Sequence, residues 1–181
     1  MARQGNPASE SDVAVSAQLL FVDCKVSIAV QAEDCYDKRA LSSQGDASEE
    51  IGAEVSFVGR VRATEKNAER SRRLLALELE HYPGMTLKAL GDICKQASER
   101  WDLKAIHVFH RVGRLSVGER IVQVDVASSH RESAFKANAF VMDFLKTSAP
   151  FWKKAIFEDG SQQWIEQKQS DRDATEAWSQ K

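Results

Sequence analysis

Residues 120–157 read RIVQVDVASSHRESAFKANAFVMDFLKTSAPFWKKAIF, and the order of periodicities along them decides the fold. Val122, Val124 and Val126 alternate with Gln123 and Asp125, the period of two that marks a strand. Ser129-His-Arg-Glu132 has the spacing of a capping box, so a helix should open there. Its apolar side is read as Phe135, Ala139, Met142 and Leu145. Pro150 stops the helix, and Phe151 to Phe157 returns to strand. Gln163 to Gln167 completes a hairpin around Asp159-Gly160.

Working outward, Lys104 to Arg111 reads as another strand, joined to Arg120 by a glycine-rich link. Before it, a helix begins just past Tyr82-Pro83-Gly84, with Met85, Ala89, Ile93, Ala97 and Trp101 at four-residue spacing and Leu90 and Cys94 widening the stripe. Leu75, Leu77 and Leu79 alternate with Glu78 and Glu80, a half-buried antiparallel strand. A charged loop, Thr64 to Arg73, separates it from a strand carrying Ile51, Ala53, Val55 and Phe57 on one face. Val26 to Val30 is the first strand, and Asp34 to Glu50 is read as a short helix followed by a polar loop. Residues 1–24 are expected to be a disordered extension, 25–170 one domain, and 171–181 a tail with a short helix ending near Trp178. The class is α+β.

Composition narrows the function. A net charge of -2 with 29% charged residues gives no overall electrostatic grip on nucleic acid, so an anion must be held by a local group of bases. Cys24, Cys35 and Cys94 lack any CxxC spacing, which points to reduced thiols in the cytoplasm rather than disulfides or zinc. His107 and His110, three apart in a strand, face opposite ways and make a poor metal pair. No metal or cofactor is expected. No apolar run is long enough to cross a membrane, and the first residues lack the apolar core of a secretion signal.

Basic residues stand where elements end. Arg60 and Arg62 follow Gly59 at a strand exit and can aim at one anion; the bland alternative is a solvated strand end. His130 and Arg131 sit at a helix N-terminus, where free amides favour an anion and a lone cation is mildly unfavourable. Lys146 lies in that helix's last turn, with Lys153 and Lys154 just beyond Pro150 beside Phe144, Phe151 and Trp152. Neighbouring cations and an aromatic wall lower a lysine's pKa, as a nucleophile or base requires. His130 and Lys146 are sixteen positions apart on one helix, about 24 Å at ~1.5 Å per residue. One small ligand cannot touch both, so a site using both clusters must be shared by two copies of the chain.

These segments together resemble a known family. Glu80-His-Tyr-Pro-Gly-Met85, Ser129-His-Arg131, Phe57-Val-Gly-Arg-Val-Arg62, His110-Arg-Val-Gly-Arg-Leu115 and, above all, Phe144-Leu-Lys-Thr-Ser-Ala-Pro-Phe-Trp-Lys-Lys154 are similar to signature segments of the molybdopterin synthase large subunit, the MoaE family. They occur in the family's order between about residue 26 and Trp178. The resemblance implies an α/β hammerhead fold with a small antiparallel β subdomain and a sulfurtransferase that needs no cofactor. It implies a central dimer within a 2+2 heterotetramer, whose other partner is a small ubiquitin-like sulfur carrier ending in a Gly-Gly thiocarboxylate. The substrate it implies is cyclic pyranopterin monophosphate, which gains two sulfurs. Carried over residue by residue, Lys146 and Lys153 are the catalytic lysines. Arg60, Val61, Arg62, His130, Arg131, Lys154 and Ala155 join them in binding substrate, and Phe57 and Met142 line the pocket.

Two departures stand out. Ala155 occupies a position usually acidic in the family, and the N-terminal extension and the polar loop before Ile51 have no recognised counterpart. The segment ending at Lys181 has no Gly-Gly terminus, so the sulfur donor is expected to be a separate protein. A non-catalytic scaffold that binds the carrier, and an unrelated module that binds small anions, are the alternative readings.

Overall fold

The structure, a computed structural model, describes residues 13–21, 23–35, 49–66 and 71–180. It contains ten strands and three helices among the described residues. β1 (Val15–Phe21), β2 (Cys24–Gln31), β6 (Leu103–Arg111), β8 (Arg120–Ser128) and β3 (Ala53–Arg60) form one mixed sheet in the order β1-β2-β6-β8-β3. Only β2 and β6 run parallel. A second, antiparallel sheet runs β10 (Gln162–Ile165), β9 (Phe151–Phe157), β5 (Ser71–His81), β4 (Thr64–Lys66), with β7 (Gly113–Ser116) also on β5. This is the expected α+β architecture with its small β subdomain.

Two helices cover one face of the mixed sheet. α1 (Pro83–Arg100) starts with proline at its first turn, where the missing N–H is not needed. It buries Leu90, Ile93, Cys94 and Ala97 against Val26, Ile28 and Val30. α2 (Arg131–Ser148) turns Ala134, Ala137, Phe140, Val141 and Leu145 inward. Phe135, expected inside, is 64% exposed instead. The helix is rotated from the expected stripe because small alanines face the sheet and Asn138 must reach it: its side-chain amide donates to the Val124 carbonyl at 2.8 Å. An amide buried this far needs such a partner. α3 (Gln169–Ala177) docks on α2, where the Trp178 indole N–H donates to Asp143 at 2.9 Å.

Other expectations are corrected too. Residues 15–21, read as disordered, form the edge strand β1; Val15, Ala17, Leu19 and Phe21 do alternate inward, but exposed Leu20 hides the period. The first twelve residues, and 36–48 with the expected short helix, lie outside the described residues. The short helix expected to end near Trp178 is α3, which begins at Gln169, just before the expected boundary at 170. The charged loop Thr64 to Arg73 contains β4 and the start of β5, and the glycine-rich link contains β7. A register shift beside Leu75 leaves it 51% exposed and buries Leu74. Met85 on α1 is exposed as well. The capping box does not form: His130 is the N-cap, and the Ser129 hydroxyl donates to Asp102 at 3.1 Å.

Among the described residues no helix is long and apolar enough to cross a membrane. The packing centre is Phe140, fully buried, with ring centroids of Phe144, Trp101 and Trp178 at 4.4, 5.5 and 5.6 Å. Phe140→Ala should destabilise the fold by about 3–5 kcal/mol, read as a lower urea midpoint; a loss under about 1 kcal/mol would show that these aromatic rings are not the keystone.

Candidate functional site

A cavity of about 650 Å³ opens where the two sheets meet the C-terminal end of α2. Three stretches bring the expected bases to it. β3 delivers Arg60 and, just past its end, Arg62; α2 delivers Lys146; β9 delivers Lys153. Phe57 and Met142 line the same space. Gly59 is required for a packing reason: a Cβ there would lie 2.8 Å from a Val122 methyl and 3.4 Å from the Phe57 ring.

The arginine strand is held by a turn. Val61 N–H donates to the Glu119 carbonyl at 2.9 Å, Gly118 N–H donates to the Val61 carbonyl at 2.8 Å, and Arg60 donates to the Gly118 carbonyl at 2.9 Å. Gly118 takes φ 87, which favours glycine. Glu119 braces the turn by accepting from the Ser116 amide at 2.6 Å and from Arg111 at 3.0 Å. Those bonds hold its carboxyl below the usual range. Val61 itself is buried in the small core and is not among the residues that line the cavity.

Burial pushes the Lys153 ammonium below its usual range; Lys146 and Lys168 push the same way, while Asp171 and Glu65 oppose. Lys146 lies 3.4 Å from Asp171. His110 forms part of the wall, its ring stacked on Phe151 with centroids 3.8 Å apart. Burial, then the charge of Lys153, pushes its pKa down to about 3. Its Nδ1 is 2.7 Å from the Arg111 carbonyl, which only accepts, so Nδ1 carries the proton and the ring is neutral.

Other expected site residues lie elsewhere. Lys154 faces away, pairing with Glu78 at 2.8 Å and lying 5.0 Å from the Trp164 ring centroid. Ala155 is buried in the small core and borders an adjoining cavity of about 430 Å³. His130 and Arg131 are exposed at the far end of α2 and do not line the cavity. Conversely, Glu65, Lys168 and Asp171 do line it and escaped the sequence reading, and so does His110, read there only as half of a poor metal pair and within a signature segment. Only the clustering of opposite charges after Ile165 hinted at two of them.

Cys24 and Cys94 are core thiols; burial pushes Cys24 up to about 12 and raises Cys94 as well, so neither is a nucleophile. Among the described residues no group of three or more His, Cys, Asp or Glu could hold a metal ion.

The MoaE protein family matches residues 30–148. The molybdopterin synthase catalytic subunit of Haemophilus influenzae is 48% identical over 153 residues, which is 84% of this chain and 98% of that protein. The solved molybdopterin biosynthesis MoaE protein of Burkholderia ambifaria aligns with a TM-score of 0.66 at 41% identity, covering 83% of this chain and 95% of that one. Molybdopterin synthase from Staphylococcus aureus aligns with a TM-score of 0.59 at 33% identity, covering 65% of this chain and 82% of that one.

The depressed Lys153 pKa has a sign that can be tested. The unfolded chain holds a proton that the folded chain binds less well, so folding is penalised at pH values below the depressed value. The penalty fades as pH rises toward the ordinary 10.5. Lys153→Met should therefore raise the thermal midpoint at pH 7, with a gain that shrinks toward pH 10; no gain at pH 7 would contradict a strained lysine.

Proposed function

Because the chain belongs to the MoaE family, whose relatives here are molybdopterin synthase catalytic subunits, we propose that it converts cyclic pyranopterin monophosphate to molybdopterin in the cavity just described. It is an enzyme of molybdenum cofactor assembly. The observation that carries the reading is the meeting of Lys146 and Lys153 with Arg60 and Arg62 around one cavity. Arginines are suited to a phosphate, and a lysine with a lowered pKa is suited to proton transfer.

In this reading Arg60 and Arg62 hold the substrate's phosphate. Lys146 meets the acyl group of the sulfur donor, the C-terminal thiocarboxylate of a small carrier subunit. Lys153, whose pKa burial lowers, moves protons beside it. The designation "catalytic subunit" of the Haemophilus influenzae relative itself implies a second kind of subunit, and the small carrier fills that place. Lys154 and Ala155 contribute less than the resemblance implies, since one faces an outer ion pair and the other is packed in the small core.

His130 and Arg131 enter by self-association. They stand one helix length from Lys146, about 24 Å, so they serve this chemistry only in a neighbouring copy's cavity. The working unit is then a dimer of the chain with a carrier at each end, a 2+2 heterotetramer acting in the cytoplasm.

Reconstitution with thiocarboxylated carrier and cyclic pyranopterin monophosphate tests the assignment. Lys146→Ala should lower product formation by about a hundredfold or more, and Lys153→Ala by at least about tenfold. Tight carrier binding without product from the wild type would favour the scaffold alternative. For the shared site, mixing Lys146→Ala and Arg131→Ala chains should restore part of the activity that each lacks alone; no recovery in confirmed mixed dimers would rule out sharing.

A further inference from the structure

Glu65 has no part in the reaction as described, yet it is the least exposed carboxylate among the ion pairs at the cavity. Its side chain is 14% exposed, against 70% for Arg62 and 48% for Lys168. Each carboxylate oxygen takes a different cation: Oε2 lies 3.5 Å from Arg62 and Oε1 lies 3.1 Å from Lys168. A carboxylate withdrawn this far from water must keep a cation close, whereas the two cations could each remain solvated alone. The acid is therefore the fixed member and the bases are the ones being placed.

Its position in the chain strengthens the case. Glu65 is the middle residue of β4, paired with Arg72 on β5, so the hairpin sets where its side chain starts. Lys168 comes from the segment between β10 and α3, far away in sequence. That segment is tied to α2 by Gln167, whose amide donates to the Thr147 carbonyl at 2.8 Å. Glu65 and Lys168 line both the 650 Å³ cavity and the adjoining 430 Å³ one, so their ion pair stands where the two meet.

We propose that Glu65 is a positioning residue for the reaction: its carboxylate straps Arg62 to Lys168 and fixes the cationic wall that faces the substrate's phosphate. The proposal rests on the reading of Arg62 as a phosphate ligand. Without the strap, Arg62 keeps its charge but samples many rotamers, and fixing one is left to the substrate. A second consequence reaches Lys153. The charged groups acting on it are Asp171, Lys146, Glu65 and Lys168, while His110 beside it is neutral. Glu65 raises the Lys153 pKa, so its loss leaves more neutral amine at a given pH.

The test compares Glu65→Gln, Glu65→Ala and Arg62→Ala in the complete enzyme with its carrier, following KM for cyclic pyranopterin monophosphate and kcat against pH. Glu65→Gln keeps size and polarity but loses charge, so it stays informative if Glu65→Ala folds poorly. Both Glu65 variants should raise KM by roughly tenfold and move the acidic limb of the kcat profile to lower pH. A change confined to the urea midpoint would mean Glu65 only stabilises the hairpin, and the proposal fails. A fall in KM would also overturn it, by showing that Glu65 merely competes with the phosphate for Arg62. If Arg62→Ala itself leaves KM unchanged, the phosphate reading fails and takes the proposal with it; a raised KM in Arg62→Ala alone sinks only the proposal.

Discussion

The site depends on a change of backbone direction made at two residues, Ala149 and Pro150. A residue before proline is pushed out of the helical region, and Ala149 duly has φ -78 and ψ 132. The helix therefore stops at Ser148, and the chain re-enters as β9 at Phe151. That places Lys146, in the last turn of α2, and Lys153, early in β9, around the same cavity. Had α2 run on for two more turns, Lys153 would stay on the helix, cut off from β5, and Phe151 could not stack on His110.

Once the two lysines share a cavity, electrostatics governs what surrounds them. Cations crowd the wall, and the carboxylates that balance them come from elsewhere: Glu65 from the small hairpin and Asp171 from the first turn of α3. Asp171 is well placed there in its own right, because a helix N-terminus favours an acid. Burial outweighs what those carboxylates restore, and Lys153 is left below its ordinary pKa. An aromatic and neutral surface of Phe151 and His110 on one side keeps water from making up the difference.

The elements that were legible in the sequence are those with one clean period. Val122, Val124 and Val126 are buried against the helices as their alternation required, and the Pro150 break was plain. The apolar face of α2 misled because two stripes fit a helical spacing, and Phe135 looked a better core residue than Ala134. The choice between them depended on how near the sheet came, which is a tertiary fact. β1 was missed since Leu20, 67% exposed, blurs an otherwise regular alternation. Among the residues that line the cavity, Arg60, Arg62, Lys146 and Lys153 were legible because a strand exit or a helix terminus is a visible landmark, though His130 and Arg131 share that landmark and lie elsewhere. Glu65, Asp171 and Lys168 were not, because their meaning comes from partners distant in the chain.

The parallel pairing of β2 with β6 carries a further implication for how the chain is made. Lys25 lies beside Ala105 and Gln31 beside Arg111, eighty positions away. On the other side of the sheet, Ala53 waits for Ser128. During vectorial synthesis the N-terminal strands leave the ribosome apolar on one face and without their native neighbours, apart from each other. Long-range pairing of this kind is slow, since loop closure must precede any gain from contact. The half of the chain that emerges last is thus the half that organises the first: a nascent chain cut short before β6 leaves β1 and β2 paired only with each other, and one cut short before β8 leaves β3 without its neighbour in the sheet.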